Sequence, residues 1–262
     1  INGLNTHLLP GLNPKGVPSG LKGSVLPFKY NHVEQLKKIV YENNIAAVKM
    51  EVERSEPPME GFLEEIRAIC DANNIVLIFD ECSSGFRETY GGLHKKYGVN
   101  PDIAIFGKTL GNGYAITSII GKEKVMQHAQ DTFISSTFWT ERIGSAAALK
   151  TLEVMKKVKS WEYVAKMGKY LKQIWINLAK SYDLSILIYG IDPLISFKFN
   201  SKYYLEYKTF ITQEMLKYGF LATTTCYLSM AHSNSIIDEY AYYLEKVFQT
   251  ISECENGSKD IK

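Results

Sequence analysis

The chain has 262 residues, is 45% hydrophobic and 22% charged, and carries a formal net charge of +2. That length buries a large core and a smaller one, while the balanced charge leaves neither a basic stripe for nucleic acid nor an acidic tail. No apolar run is long enough to span a bilayer and no signal-peptide pattern is present, so a soluble, cytoplasmic protein with no membrane or nucleic-acid partner is expected.

Residues 1 to 31, rich in Gly, Pro and Asn, read as a surface loop. Asn31 is placed to cap a helix that carries Val33, Leu36, Ile39 and Val40 on one face and ends near Asn43-Asn44. Ala46 to Val52 reads as a strand. Pro57-Pro58 then open a helix with Phe62, Leu63, Ile66 and Ile69 turned inward. The unbroken apolar run Ile75 to Phe79 ends on paired acids, Asp80 and Glu81, and a second run, Ile103 to Phe106, ends on Gly107-Lys108. Short apolar runs with β-branched and aromatic residues, bounded by turn signals, read as strands buried on both faces of a parallel sheet. Strand–helix alternation gives the same α/β layer.

Ala115 to Ile120 reads as another strand, and Thr140 or Glu141 starts a long helix through Gly144 and Ala146 to Ala148, small residues that permit close packing. Ser160 caps a further helix to about Ser181. From Leu184 the pattern changes: LSILIYG and PLISFKF form a hairpin-like pair, and a helix follows that stops at Gly219. Phe220 to Ala231 is strand-like. Ser235 and Asp238 make a capping pair for a last helix lined by Ile236, Ile237, Tyr240, Leu244, Val247, Phe248 and Ile251. The tail after Cys254 reads as disordered. A boundary near 180 divides a large domain, 1–180, from a small α+β domain, 181–262.

Ligands of open α/β sheets bind outside the carboxyl ends of the strands. Asp80 and Lys108 both stand there, so a carboxylate and an amine point into one crevice. The apparent Walker pattern around Gly107-Lys108-Thr109 fails, because Asp102 stands where the motif needs glycine and the lysine follows the acidic strand. Cys70, Cys82, Cys226 and Cys254 form no CxxC pair and read as buried, reduced thiols. His7, His32, His94, His128 and His232 show no metal-ligand spacing. Arg87 ties its turn to the sheet, His232 is a structural strand-end residue, and Glu51 supports another strand end.

DECSSGFR followed by FGKTLGNGYAITSIIG resembles the class III aminotransferases that depend on pyridoxal phosphate, within them the branch containing glutamate-1-semialdehyde aminomutase. AAVKMEVE, GFLEEIRAICDANNI, Ser136-Thr137-Phe138 and YLSMAHS extend the resemblance over most of the chain. It implies fold type I, a mostly parallel sheet with helices on both faces plus the small α+β domain. Because the chain opens on Ile-Asn-Gly and family members are longer, it also implies a piece lacking N-terminal structure.

The implied roles are specific. Lys108 forms the Schiff base with pyridoxal phosphate and later serves as the proton-moving base. Asp80 holds the charge of the pyridine nitrogen. Cys82 stands where the family has a branched apolar residue against the ring. Thr137 reaches the phosphate of the other subunit, which implies a homodimer. WTERIG departs from the family's Ser-Gly-Asn-Pro-like turn. The implied activity is transfer of an amino group between a small amino donor and a keto or aldehyde acceptor. Two alternatives stay open: an aminomutase, although Thr223-Thr224-Thr225-Cys226 supplies no acid in the C-terminal segment, and a catalytically inert binding protein of the same fold.

Overall fold

The computed structural model describes residues 16–21, 23–135, 137–138 and 141–260. Most of the N-terminal loop expectation, His7, Ser136 and Thr140 lie outside these. The elements in chain order are α1 (Val33–Glu42), β1 (Ala47–Met50), α2 (Phe62–Ala72), β2 (Val76–Asp80), α3 (His94–Tyr97), β3 (Ile103–Phe106), β4 (Ser118–Gly121), α4 (Glu123–Met126), α5 (Ile143–Val158), α6 (Ser160–Ser181), β5 (Ile186–Tyr189), β6 (Leu194–Phe199), α7 (Tyr204–Lys217), β7 (Thr225–Tyr227) and α8 (Asn234–Glu255). One sheet has the order β1-β2-β3-β4 and the other β5-β6-β7. The chain divides into two compact units, Ile1–Val48 with Pro58–Leu77, and Lys49–Pro57 with Ile78–Lys262.

In the first unit, α1 and α2 bury one face each, around Leu36 and around Phe62, Leu63, Ile66 and Cys70. Tyr30 packs edge-on against Phe62 at 4.9 Å. Asn31 does not cap α1. His32 holds that position without a side-chain bond, while the Asn31 amide oxygen accepts the Met59 N–H at 2.9 Å. Nor do Pro57-Pro58 start α2, which begins at Phe62 behind Gly61 in the left-handed region, φ 78°.

In the second unit, β2 runs parallel to β3, with Ile78, Phe79 and Asp80 opposite Ile103, Ala104 and Ile105. These strands are fully buried on one face and half-buried on the other, rather than sealed on both. β4 is antiparallel to β3 and shorter than expected, because Ile116 still belongs to a turn closed on the Tyr114 carbonyl. α5 packs Ala148 against Ala104, Phe106 and Leu110. Its Gly144 sits where a Cβ would come within 3.2 Å of both the Ala115 carbonyl oxygen and Ile116.

The second sheet is covered by α6, α7 and α8, and its core gathers Trp175, Phe197, Phe199, Tyr207 and Phe248. The indole N–H of Trp175 donates to the Tyr240 hydroxyl at 3.2 Å. The β5–β6 hairpin forms as expected, and the left-handed Gly219, φ 82°, ends α7. Ser160 is the first residue of α6, not its cap, which is Lys159 at φ 50°. Ser233 rather than Ser235 caps α8 by accepting the Ile236 N–H, and Asp238 is instead held by the Tyr170 hydroxyl. Ile236 faces outward. Of the strand expected over 220–231 only β7 forms, and α8 continues one residue past Cys254. All four cysteines are free, but only Cys70 is fully buried. Among the described residues no helix is long and apolar enough to cross a membrane.

Candidate active site

The site grows from the carboxyl ends of β2 and β3. Asp80 closes β2, and its Oδ1 accepts the Cys82 N–H at 3.1 Å, so the chain turns immediately after the strand. Its Oδ2 meets the ammonium of Lys49, from β1, at 3.0 Å. Burial pushes the Asp80 carboxyl up, but the hydrogen bonds and charge of Lys49 together with Cys82 outweigh it and hold the group below the usual carboxylate range. Asp80 is therefore an anion at neutral pH. The neighbouring Cys82 thiol is pushed up, by burial first and then by Asp80, with Lys108 and Lys49 opposing. It stays a neutral thiol that can pack on an apolar surface.

Glu81 anchors the next stretch. It is fully buried, and its carboxylate accepts the Ser84 hydroxyl at 2.5 Å and the N–H groups of Leu93 and His94 at 2.9 Å each. The His94 Nδ1 lies 2.9 Å away as well. Burial raises the Glu81 carboxyl, and these donors more than reverse that, leaving it low. One side chain thus fixes both ends of the 81–94 loop.

Lys108 follows β3. Gly107 before it has no Cβ, and one added there would lie 3.3 Å from the Cys82 sulfur and 3.4 Å from the Thr117 methyl. Lys108 itself takes φ 38°, in the left-handed region that non-glycine residues rarely adopt and that gathers at functional sites. Its ammonium donates to the Ser83 hydroxyl at 2.6 Å. Ser83 in turn accepts, through its carbonyl, the Arg87 Nε–H at 2.7 Å. Arg87 therefore braces its own turn rather than tying it to the neighbouring strands, and its guanidinium lies over the Tyr227 ring. Lys108 and Thr109 line a cavity of about 840 Å³ walled by Phe86, Tyr114, Ala147 and Leu228 among others. The Thr109 hydroxyl is buried without a hydrogen-bond partner.

The expected residues separate into two groups. Asp80 is bonded to Cys82 and the Cys82 thiol feels the charge of Lys108, but of these three only Lys108 lines the cavity. Thr137 is exposed in a turn before α5 and is not a wall of that cavity. Glu51 pairs with Arg54 at 3.1 Å, whereas Glu53 is the buried acid of that strand end and accepts the Tyr97 hydroxyl. The His232 Nδ1 accepts the Ser229 N–H at 3.0 Å, the structural role expected of it. Among the described residues no cluster suits a metal ion. Lys49, Ser83, Glu81 as an anchor and Thr109 are the residues that sequence reasoning missed. For Lys49 the signal was present: one lysine inside the otherwise apolar run AAVKM.

A family model described as Aminotransferase class-III matches residues 23–244. The chain belongs to that family. A 3-aminobutyryl-CoA aminotransferase from Cloacimonas acidaminovorans is 37% identical over 59% of this chain and 39% of its own length. A glutamate-1-semialdehyde 2,1-aminomutase from Methanocaldococcus jannaschii is 29% identical over 95% of this chain and 63% of its own. The chain thus spans between about two fifths and three fifths of the curated relatives' length. In three dimensions it resembles the pyridoxal-phosphate internal aldimine form of FumI from Sphingopyxis sp. MTA144, with TM-score 0.85 and 22% identity over 92% of this chain and 61% of that one. An omega-transaminase from Sphaerobacter thermophilus superposes with TM-score 0.82 at 20% identity over 90% and 59%. The α/β fold is that of these two proteins.

The residues present fit such a cofactor. An amine and an anionic carboxylate stand at the ends of adjacent parallel strands, and the orphaned Thr109 hydroxyl lies next to the amine in chain and cavity.

Proposed function

We propose that this chain is the cofactor-binding part of a pyridoxal-phosphate-dependent aminotransferase that moves an amino group between a small-molecule donor and a keto or aldehyde acceptor. The observation that carries the reading is the placement of the Asp80 carboxylate and the Lys108 amine at or just beyond the carboxyl ends of parallel neighbours. Bound there, pyridoxal phosphate supplies an electrophilic carbonyl carbon and a ring that accepts electrons. The Lys108 Nζ is the group that would hold that carbon, and the same atom would take a proton from the substrate and return it. Its left-handed backbone and the Ser83 hydroxyl orient it. Asp80 would keep the proton on the ring nitrogen, and the neutral Cys82 thiol would pack against the ring. Thr137 serves the phosphate of a second subunit in a cytoplasmic homodimer, with 1–180 as the large domain and 181–262 as the small one.

Incubating the chain with pyridoxal phosphate, reducing with borohydride and mapping the peptides tests this. The pyridoxyl group is expected on the peptide containing Lys108 and absent from Lys108→Ala. An adduct on Lys49, Lys95, Lys96 or Lys122, or none in a folded protein saturated with cofactor, overturns it. Aminomutase activity is the second reading, favoured by relatives of that name that match nearly the whole chain. Product formed from a single aminated substrate, with no separate acceptor, would establish it.

A further inference from the structure

Asp80 has a partner that the reading above does not use. Lys49 is the third residue of β1, between Val48 and Met50, which are 4% and 9% exposed. Strand alternation turns those two into the core and sends Lys49 to the opposite face, where its ammonium lies 3.0 Å from the Asp80 Oδ2. The Lys49 side chain is 58% exposed and that of Asp80 only 24%. An exposed pair of this kind contributes little to stability. Its effect falls instead on the half-buried carboxylate, whose other oxygen is already occupied by the Cys82 N–H. Among the described residues, the charged and titratable groups acting at Asp80 are Lys49 from β1 and the Cys82 thiol beside it, with Lys108 acting on that thiol.

We propose that Lys49 is a positioning residue that shares the Asp80 carboxylate with the ring nitrogen of the cofactor, orienting Asp80 and weakening its hold on the ring proton. A second cation on the same carboxylate withdraws negative charge from the first, so the nitrogen keeps its proton less firmly than beside an unshared aspartate. Lys49 also holds Asp80 in its rotamer before any cofactor arrives. The inference rests on the cofactor role given to Asp80 above.

The test uses this chain with 13C-labelled aspartate, with the Asp80 signal assigned by its loss in Asp80→Asn. In the cofactor-free chain Lys49→Met is expected to move the Asp80 titration midpoint upward, and Lys49→Arg, which keeps the cation, to restore it. Unchanged melting by circular dichroism shows that the fold is not the cause. In the loaded chain the ring nitrogen, read with 15N-labelled pyridoxal phosphate, is expected to stay protonated to higher pH in Lys49→Met than in the parent. An Asp80 midpoint that does not move in Lys49→Met, or a ring proton lost at the same pH in both chains, overturns the proposal. If the midpoint moves while Asp80→Asn leaves the ring proton unaffected, the ion pair stands and the cofactor role of Asp80 is what falls.

Discussion

Glu81 is the residue on which the local architecture turns. Its buried carboxylate satisfies the Ser84 hydroxyl and two backbone N–H groups, so truncation strands several buried donors. Glu81→Ala is expected to lower stability by about 3–5 kcal/mol, measured by urea unfolding. The sign of the pH dependence follows from the direction of the shift. A carboxyl held below its ordinary 4.5 contributes fully above that pH and loses its contribution as pH falls through the lower folded value. Glu81→Gln should flatten that acid limb, and an unchanged limb would show that the anion is not what the loop needs. Asp80 and Lys108 were legible because each ends an apolar run that only a buried strand explains. Lys49, Ser83 and the anchoring role of Glu81 were less so, because each acts on a partner from another strand or across a loop. Such partners are close only after folding.

At the scale of elements, α6 meets the β5–β6 turn so closely that a Cβ at Gly168 would lie 1.9 Å from the Asp192 carbonyl oxygen. A backbone atom cannot step aside as a flexible side chain can. Gly168→Ala should therefore lower the melting temperature, at a cost of about 1–3 kcal/mol, even though alanine is the better helix former. A melting temperature equal to or above the parent's would mean that the helix can ride up on the turn. Strongly periodic segments such as α8 and the β5–β6 hairpin were readable from their apolar spacing. Helix starts were less so. Ser233 and Ser235 are both competent caps, and only the backbone path decides between them; Asn31 is a good cap by type, yet its amide is engaged by Met59. β4 came out short because a tight turn takes residues whose apolar character alone reads as strand.

At the scale of the molecule, α5 leaves Ile143, at the cavity, 64% exposed and Leu149 70% exposed, while Gly144 and Ala148 pack inward on the same chain. If the proposed homodimer uses this helix, Leu149→Lys should halve the mass read by light scattering and leave the circular dichroism unchanged. A parent that is monomeric at micromolar concentration removes the case for a phosphate contact from Thr137 of a second subunit. The chain spans about two fifths to three fifths of its curated relatives' length, so substrate choice belongs to the level of the whole protein.

Among the described residues β4 ends its sheet; it carries the sequence Ser-Ile-Ile-Gly, with Ile119 and Ile120 both more than half exposed. The first charge after it, Lys122, is drawn back onto Asp102 at 2.8 Å. A strand rim with no proline or charge within its own four residues is a template for backbone pairing with any extended segment that meets it. Insolubility of this polypeptide on concentration would then begin at four residues of β4, as strand-by-strand growth, with the rest of each molecule still folded.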